Sequence, residues 1–275
     1  MMLTGKTNKD CINTEKEEYF GEDGLLYCGI CHEPKEAFYP AGKELFGKRK
    51  HPRMCACHRE EYEWLEKRAR QMEHDRMVSL LRERCFSDKN MYNWRFENDN
   101  GLNQKMSVAK EYVNSWEENE KENRGLNFWG GVGTGKSYMA GCIANELLEK
   151  EVTVRMTNFA EILNELNSHD TDRNEYIQSL CRARLLIIDD LGMERSTDYG
   201  LEQVYNVIDA RCRSNKPLII TTNLSLQEMK NESNIARKRI YDRLLSMCIP
   251  VQVQGTNMRQ IEQKEKFRKF TEKKV

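Results

Sequence analysis

A glycine-rich segment in the middle of the chain has residue types and a spacing that suit phosphate binding. Residues 127–137 read N-F-W-G-G-V-G-T-G-K-S and fit the phosphate-loop pattern G-x4-G-K-[ST], between an apolar segment and a helix-like one. Glycines let successive N–H groups curl around phosphate oxygens, and the start of a helix favours anions. We expect Lys136 to reach the β- and γ-phosphates of ATP and Ser137 to hold Mg²⁺. The residues predicted to surround the nucleotide are Gly130, Gly131, Val132, Gly133, Thr134, Gly135, Lys136, Ser137 and Tyr138.

A pair of aspartates ends an aliphatic run about fifty residues later. The segment A-R-L-L-I-I-D-D-L-G, residues 183–192, is typical of a buried parallel strand whose C-terminal end brings carboxylates to a site. Asp189 is predicted to take the Mg²⁺ position, through water or Ser137, and Asp190 to orient and polarise the attacking water. Neighbouring side chains on a strand point to opposite faces, so both can act only where the strand ends. The sequence Leu191-Gly192 permits that turn.

The next apolar strand, L-I-I-T-T at residues 218–222, ends at Asn223. An amide at the end of this strand, beside the acidic strand, can contact a γ-phosphate or the attacking water. The simpler alternative is that Asn223 is only a turn residue after the strand. Strands and helices alternate from the phosphate loop onward, which predicts an α/β fold with a doubly wound, parallel, five-stranded sheet. These elements would place the loop, the aspartates and Asn223 at one edge.

Four cysteines near the N-terminus have the spacing of a zinc site. Cys28 and Cys31 form a C-x2-C knuckle, whereas Cys55 and Cys57 are separated by one residue. We prefer these four thiolates as the ligands, with His58 or His51 as a substitute in the second half. A closed site of four ligands has no open position, so its role would be structural. The alternative is four free thiols in a loop-rich tail.

Composition limits the function classes. Among 275 residues, 44 Lys and Arg balance 44 Asp and Glu, so any nucleic-acid contact must use a local patch. No apolar run is long enough to span a membrane, and no signal core opens the chain, which favours the cytoplasm. We predict a disordered N-terminus over 1–21, a zinc-binding module over 22–60, a connecting helix over 61–86 and an ATPase domain over 87–275.

Several segments together resemble the DnaC/DnaI-type loaders of replicative helicases and their close relatives, the transposon ATPases of the IstB type. They are G-G-V-G-T-G-K-S, L-L-I-I-D-D-L-G-M-E, I-D-A-R-C, P-L-I-I-T-T-N-L and R-I-Y-D-R-L, within roughly residues 90 to 259. The resemblance implies an AAA+ ATPase with Asn223 as sensor 1. It also implies that Arg243, with Arg239 as a second candidate, reaches the γ-phosphate of a neighbouring subunit. Arg259 is similarly placed at a second sensor, although Asn257 stands where the family has Ser.

The resemblance also implies partners. The cysteine module resembles the helicase-binding domain of DnaI-type loaders, and the segment after the acidic strand corresponds to a contact with single-stranded DNA. Arg195 and Tyr199 could there supply a phosphate contact and a stacking face. The function implied is an ATP-dependent loader of a DnaB-type helicase that uses ATP, Mg²⁺ and Zn²⁺, with slow, assembly-dependent hydrolysis through self-association.

Two alternatives remain open at this point. One is an IstB-like transposition helper that binds duplex DNA, although the cysteine-rich N-terminus favours the loader. The other is a protein that holds ATP without hydrolysing it, because Asp190 stands where this enzyme class commonly has Glu.

Overall fold

The computed structural model describes residues 17–169, 172–192 and 197–272. The chain forms two compact units that divide between Asp75 and Arg76. A long helix, α1 (Ala56–Cys85), contains this division. Among the described residues, no helix is both long and apolar enough to cross a membrane.

The first unit contains two small antiparallel hairpins. Strands β1 (Tyr19–Phe20) and β2 (Leu26–Tyr27) form one, and β3 (Glu36–Phe38) and β4 (Lys50–Pro52) form the other. Strand β1 lies inside the range 1–21 that the sequence predicts to be disordered. The Tyr19 ring stacks on Tyr27 across the hairpin, with centroids 5.7 Å apart, and this contact stabilises the strand. The end of this range is therefore part of a hairpin; residues 1–16 lie outside the described part.

The second unit contains a five-stranded parallel sheet within the described residues. Its order is β6-β7-β8-β5-β9. The strands are β5 (Gly125–Trp129), β6 (Val154–Asn158), β7 (Leu185–Leu191), β8 (Leu218–Thr222) and β9 (Cys248–Gln252). The side chains of β7 alternate between two cores: Leu185 and Ile187 pack on one side, and Leu186 and Ile188 on the other. Both faces are therefore covered, which confirms the predicted doubly wound sheet.

Helices cover both faces of this sheet. An amphipathic helix buries its apolar stripe against a sheet and leaves its polar side in water. Phe159, Ile162 and Leu166, on one such stripe, are almost fully buried. The helices are α2 (Met106–Asn114), α3 (Trp116–Lys121), α4 (Lys136–Glu149), α5 (Phe159–Leu166), α6 (Arg173–Arg182), α7 (Asp198–Arg213), α8 (Leu226–Lys230), α9 (Ile235–Met247) and α10 (Met258–Glu272).

Candidate nucleotide site and cysteine cluster

A cavity of about 630 Å³ lies at the carboxyl ends of the central strands. This volume is within the range of small-molecule sites. The phosphate loop, between β5 and α4, forms one wall, and the ends of β7 and β8 contribute Asp190 and Asn223. The lining residues are Trp94, Asn98, Asp99, Asn100, Asn103, Met106, Val132, Gly133, Thr134, Gly135, Lys136, Ser137, Tyr138, Asp190, Asn223, Met258 and Arg259.

The conformation of the phosphate loop requires glycine at two close contacts. Gly130 and Gly133 have φ angles of 146° and 75°, which L side chains rarely adopt. A Cβ at Gly133 would lie 2.1 Å from Asn257 Oδ1, and one at Gly130 would lie 2.2 Å from the carbonyl oxygen of Val253. The segment after β9 therefore packs directly against the loop. The Met258 N–H also donates to the carbonyl of Gly133, at 2.9 Å.

Lys136 is the buried cation of the cavity. Only 5% of the residue is exposed, and its Nζ donates to the carbonyls of Gly130 and Gly131, at 2.9 and 2.7 Å. It also donates to Asn223 Oδ1, at 2.8 Å. Burial lowers the pKa of Lys136, and the nearby charges of Asp190 and Asp189 oppose that shift. All three hydrogen-bond acceptors are neutral, so the ammonium is poised to bind an anion.

The two aspartates are separated by an irregularity in β7. The pairing of β7 with β8 shifts between Ile188 and Leu191, and Asp190 has φ of 54°, in the left-handed region. The strand continues through Leu191, so the change of direction occurs at Asp190 rather than at the predicted Leu191-Gly192 turn. Thr221 stabilises this bulge: its Oγ1 accepts from the Asp190 N–H, at 2.9 Å.

Asp189 lies beneath the phosphate loop. Its Oδ1 accepts a hydrogen bond from Thr221 Oγ1, and its carboxylate also accepts one from the Ser137 hydroxyl. Burial raises the pKa of Asp189, and these hydrogen bonds oppose the shift. A carboxylate next to a hydroxyl is the oxygen donor set that Mg²⁺ prefers, so Asp189 and Ser137 fit a magnesium ion.

Aromatic and C-terminal residues complete the cavity wall. Trp94 packs against Gly141 of α4, where a Cβ would lie 2.3 Å from Trp94 Cε3, and its ring centroid is 6.0 Å from that of Tyr138. Tyr92 and Phe96, two residues before and after Trp94, pack against the same core. Arg259 is exposed and lines the cavity opposite Lys136, whose pKa it helps to lower.

Sequence reasoning missed the buried Asn103. Its Nδ2 donates to the carbonyl of Thr134, at 3.3 Å, and so supports the phosphate loop from below. Asp99 and Asn100 line the same wall. These residues belong to a run rich in Asn, Asp and Gly, and this polar run before the phosphate loop is the signal that could have found this wall of the cavity.

The arginine candidates of α9 lie outside the described cavity lining. Arg243 donates to Tyr205 Oη at 3.0 Å and pairs with Asp209 at 2.7 Å, both on α7 of its own chain. Arg239, one helical turn earlier, is exposed and has no ion pair with any described residue. A role for either arginine in the nucleotide site therefore needs a second copy of the chain.

The residues predicted to contact DNA are only partly described. Arg195 lies outside the described residues. Tyr199, in the first turn of α7, is 36% exposed, and the Arg173 guanidinium lies 5.7 Å from its ring centroid. Such a cation over an aromatic face is a favourable contact.

The four predicted cysteines come together in the first unit. Their sulfur atoms all lie within 4.8 Å of one another; Cys57 Sγ is 3.4 Å from Cys28 Sγ, 3.5 Å from Cys55 Sγ and 3.6 Å from Cys31 Sγ. Four sulfurs around zinc at 2.3 Å would be about 3.8 Å apart, so the cluster fits a tetrahedral ion. The two histidines that the sequence offers as substitutes are outside the cluster.

Comparisons with known proteins agree with this geometry. A family model described as IstB-like ATP binding protein matches residues 56–266. The replicative helicase loader DnaI of Bacillus subtilis is 27% identical over 161 residues, covering 54% of this chain and 51% of that protein. The replicative helicase loader DnaC of Escherichia coli K12 is 29% identical over 158 residues, covering 55% of this chain and 61% of that protein. The chain thus matches only part of each relative's length.

A solved structure shares the fold. The crystal structure of DnaI aligns with a TM-score of 0.53 at 23% identity, over 63% of this chain and 94% of that one. At this identity the likeness concerns the fold alone, and it agrees with the predicted AAA+ architecture. The family model covers more than half of the sequence, including the phosphate loop, the acidic strand and the strand that ends at Asn223. The chain therefore belongs to the family of IstB-like ATP-binding proteins.

Proposed function

We propose that this protein is an ATP-dependent loader of a replicative DNA helicase, with ATP bound in the cavity beside the phosphate loop. The observation that carries the ATPase part is the meeting of Lys136, Asn223 and Asp190 around one cavity, with Asp189 beneath it. A buried ammonium with neutral acceptors suits the β- and γ-phosphates. Tyr138, Trp94 and the loop glycines would enclose the rest of the nucleotide.

Each polar group at the cavity has a role in the proposed hydrolysis. Bound Mg²⁺ would neutralise charge on the phosphates, and Ser137 and Asp189 are the residues that would hold it. Asp190 accepts a proton from the attacking water or orients it, and Asn223 positions that water near the γ-phosphate. Arg259 contributes a second cation at the rim of the cavity. Its backbone N–H donates to Asn257 Oδ1, which fixes the position of the residue.

Hydrolysis is proposed to depend on assembly. Arg243, or Arg239 beside it, would enter the nucleotide site of an adjoining copy and stabilise charge that develops during phosphoryl transfer. Within one chain Arg243 is held by Asp209 and Tyr205. Self-association through the ATP site would have to exchange these contacts for the phosphate, which makes slow turnover of the isolated chain understandable.

The first unit is proposed to bind zinc and then the helicase. Zinc held by the four thiolates would fix the two hairpins as a platform. The names of the relatives DnaI and DnaC as replicative helicase loaders support a DnaB-type helicase as the partner. We propose the zinc-binding module over 22–60, the connecting helix over 61–86 and the ATPase domain over 87–275, with single-stranded DNA contacted near Arg195 and Tyr199. The protein would then act in the cytoplasm.

The proposed ATPase is tested with Lys136→Ala in the full chain. Turnover should fall to background and the affinity for a fluorescent ATP analogue should drop, because the phosphates lose their main cation. Lys121→Ala, at the end of α3, is the matched control. Unchanged turnover in Lys136→Ala would remove the enzyme proposal. A protein that binds ATP normally but does not turn it over, with or without DNA, would instead be an ATP-dependent binding protein.

The helicase part is tested separately. The full chain, with zinc, should retain a replicative helicase on a column and deposit it on single-stranded DNA in the presence of ATP. A second candidate is a transposition helper, which the IstB-like family match favours. ATPase rates that respond to duplex DNA and not to single strands, with no helicase retained, would select that candidate.

A further inference from the structure

A second cavity, of about 370 Å³, lies near the amino-terminal ends of β6 and β7, away from the nucleotide site. Three arginines from different elements line it: Arg84 from the end of α1, Arg155 from β6 and Arg182 from the end of α6. Tyr176 and Ser179 add hydroxyl groups. None of the described lining residues is acidic. We call this site the arginine cavity.

The contacts of the arginines that line this cavity are mainly with neutral groups of the described residues. None of its three arginines forms an ion pair with a described residue. Arg155 Nη1 donates to the backbone carbonyl of Arg84, and its side chain also bonds to Tyr176. Arg155 Nε is buried and has no acceptor within the described structure. The exposed guanidinium groups of Arg84 and Arg182 are therefore the donors that a ligand in the cavity can reach.

The neighbouring helix end does not cancel this charge. Helix α6 points its C-terminal carbonyls towards this region, which by itself would repel an anion. Two further cations hold these carbonyls: Arg211 donates to those of Cys181 and Ala183, and Lys216 donates to those of Cys181 and Arg182. These two cations therefore offset the partial negative charge of the carbonyls at the end of α6.

Two carboxylates, those of Glu161 and Glu165, act on Tyr176 at the wall of the cavity. Glu161 and Glu165 both raise the pKa of Tyr176 by their charge, although burial is the larger cause. The two oxygens of Glu161 accept hydrogen bonds from Ser87 and Thr157, at 2.9 and 3.0 Å. Three cations, at positions 84, 155 and 182, therefore line the cavity, and Arg211 and Lys216 contact the adjoining end of α6.

We propose that the arginine cavity binds a backbone phosphate of a single-stranded nucleic acid. Guanidinium forks and hydroxyls converging from several elements suit the tetrahedral acceptors of a phosphate, whereas one fork satisfies a planar carboxylate. The Tyr176 ring offers a face on which a base can stack. The choice of single-stranded DNA as the source of the phosphate rests on the proposed function. The site itself is distinct from the segment near Tyr199 and from the nucleotide cavity.

The test uses the full chain carrying Arg84→Gln and Arg182→Gln together. Both side chains are exposed and the contacts of both residues described above use backbone carbonyls, so the fold should be kept. The matched control, Arg68→Gln with Arg70→Gln, removes the same charge from exposed positions of the first unit. Binding of a fluorescent oligothymidylate is measured by anisotropy over a range of salt, and turnover of ATP without DNA is measured alongside.

Loss of one phosphate contact should lower the salt slope of binding by about 0.7 and weaken binding about fivefold near 0.1 M salt. ATP turnover without DNA should equal that of the parent. If the double variant binds the oligothymidylate as tightly as the control variant does, the proposed site is wrong. If the double variant keeps its DNA binding but loses affinity for a polyglutamate peptide, the cavity binds an acidic protein instead, and the proposal is again wrong. Competition by millimolar inorganic phosphate in the parent but not in the variant would support it. A parent chain that does not bind the oligonucleotide would instead contradict the DNA-binding part of the proposed function.

Discussion

Lys136 Nζ donates a hydrogen bond to Asn223 Oδ1 at 2.8 Å, and this contact joins the phosphate loop to the end of β8. The ammonium is thus held between the two groups that the proposed mechanism assigns to the γ-phosphate. ATP must displace Asn223 or share the ammonium with it. Because the acceptor is a neutral amide, that exchange should have a small net cost.

The first prediction concerns the charge of this acceptor. Asn223→Asp should weaken ATP binding about tenfold, because a carboxylate would hold the Lys136 ammonium and repel the γ-phosphate in a partly buried site. Asn223→Ala should leave the affinity closer to that of the parent while lowering turnover. Calorimetric titration with a non-hydrolysable ATP analogue measures both. Asn231→Asp, which adds the same charge after α8, is the control; equal affinity of Asn223→Asp and the parent would contradict the prediction.

The sheet and the polar ends of its strands could be predicted from the sequence. The aliphatic run before Asp189 is long enough and apolar enough to require burial on both faces, and the G-x4-G-K-[ST] spacing fixes the following helix. The limits of individual strands, such as the start of β6 at Val154 and of β9 at Cys248, could not be predicted in this way. Pairing with neighbouring strands decides such limits, and one strand's sequence does not contain that information.

Contacts between segments that are distant in the chain could not be predicted from the sequence. Asn257 was interpreted as a weak match to a sensor pattern, yet its amide packs against Gly133 and its Oδ1 accepts from the N–H of Arg259. Asn103 donates to the carbonyl of Thr134 from a segment 31 residues earlier in the sequence. Both are ordinary polar residues in loops, and only the tertiary arrangement gives them a role.

A second prediction concerns the cysteine cluster. In the described part of the first unit, Cys28 and Cys55 are the buried residues of the hydrophobic class, so the module has little apolar core. Its fold should therefore depend on metal. We expect one zinc per chain by atomic emission and loss of that zinc in Cys57→Ser, with faster proteolysis of the N-terminal residues.

The histidines provide the control for this prediction. His58 is exposed, and the His51 ring packs at a tilt of 49° against Tyr39, with centroids 4.8 Å apart. His58→Ser and His51→Ser should keep one zinc per chain. Loss of zinc in either variant, with retention in Cys57→Ser, would assign the fourth ligand to a histidine.

A third prediction concerns catalysis between subunits. Arg243→Ala should lower turnover by about 10³-fold and leave ATP affinity unchanged, because the arginine acts on the nucleotide of another copy. Mixing Arg243→Ala with Lys136→Ala should restore part of the activity, since an intact site and an intact arginine then meet at some interfaces. Lys238→Ala, an exposed cation of α9, is the control, and Arg239→Ala tests the second candidate. Failure of every mixture to regain activity would contradict the assignment.

A fourth prediction concerns the cost of burying Asp189. Burial raises the pKa of this carboxyl above the ordinary value of 3.8, so the folded chain holds the proton more tightly than the unfolded chain does. Its contribution to stability therefore becomes unfavourable as pH rises through the ordinary value towards the raised one. Asp189→Asn removes this cost and keeps an oxygen that can accept from Thr221. Without nucleotide, the Tm of the variant should rise relative to that of the parent as pH increases from below to above the ordinary value of 3.8, and the gain should persist at pH 8.

The same substitution should have the opposite effect once ligand is present. Mg²⁺ with an ATP analogue should raise the Tm of the parent much more than that of Asp189→Asn, because the amide no longer supplies a charged oxygen to the metal. Asp242→Asn, at an exposed position of α9, is the control and should change neither quantity. If Asp189→Asn lowers the Tm of the nucleotide-free chain at pH 8, the hydrogen bonds from Thr221 and Ser137 outweigh the cost of burial. The carboxylate would then be a structural group of the folded chain, stable without any metal.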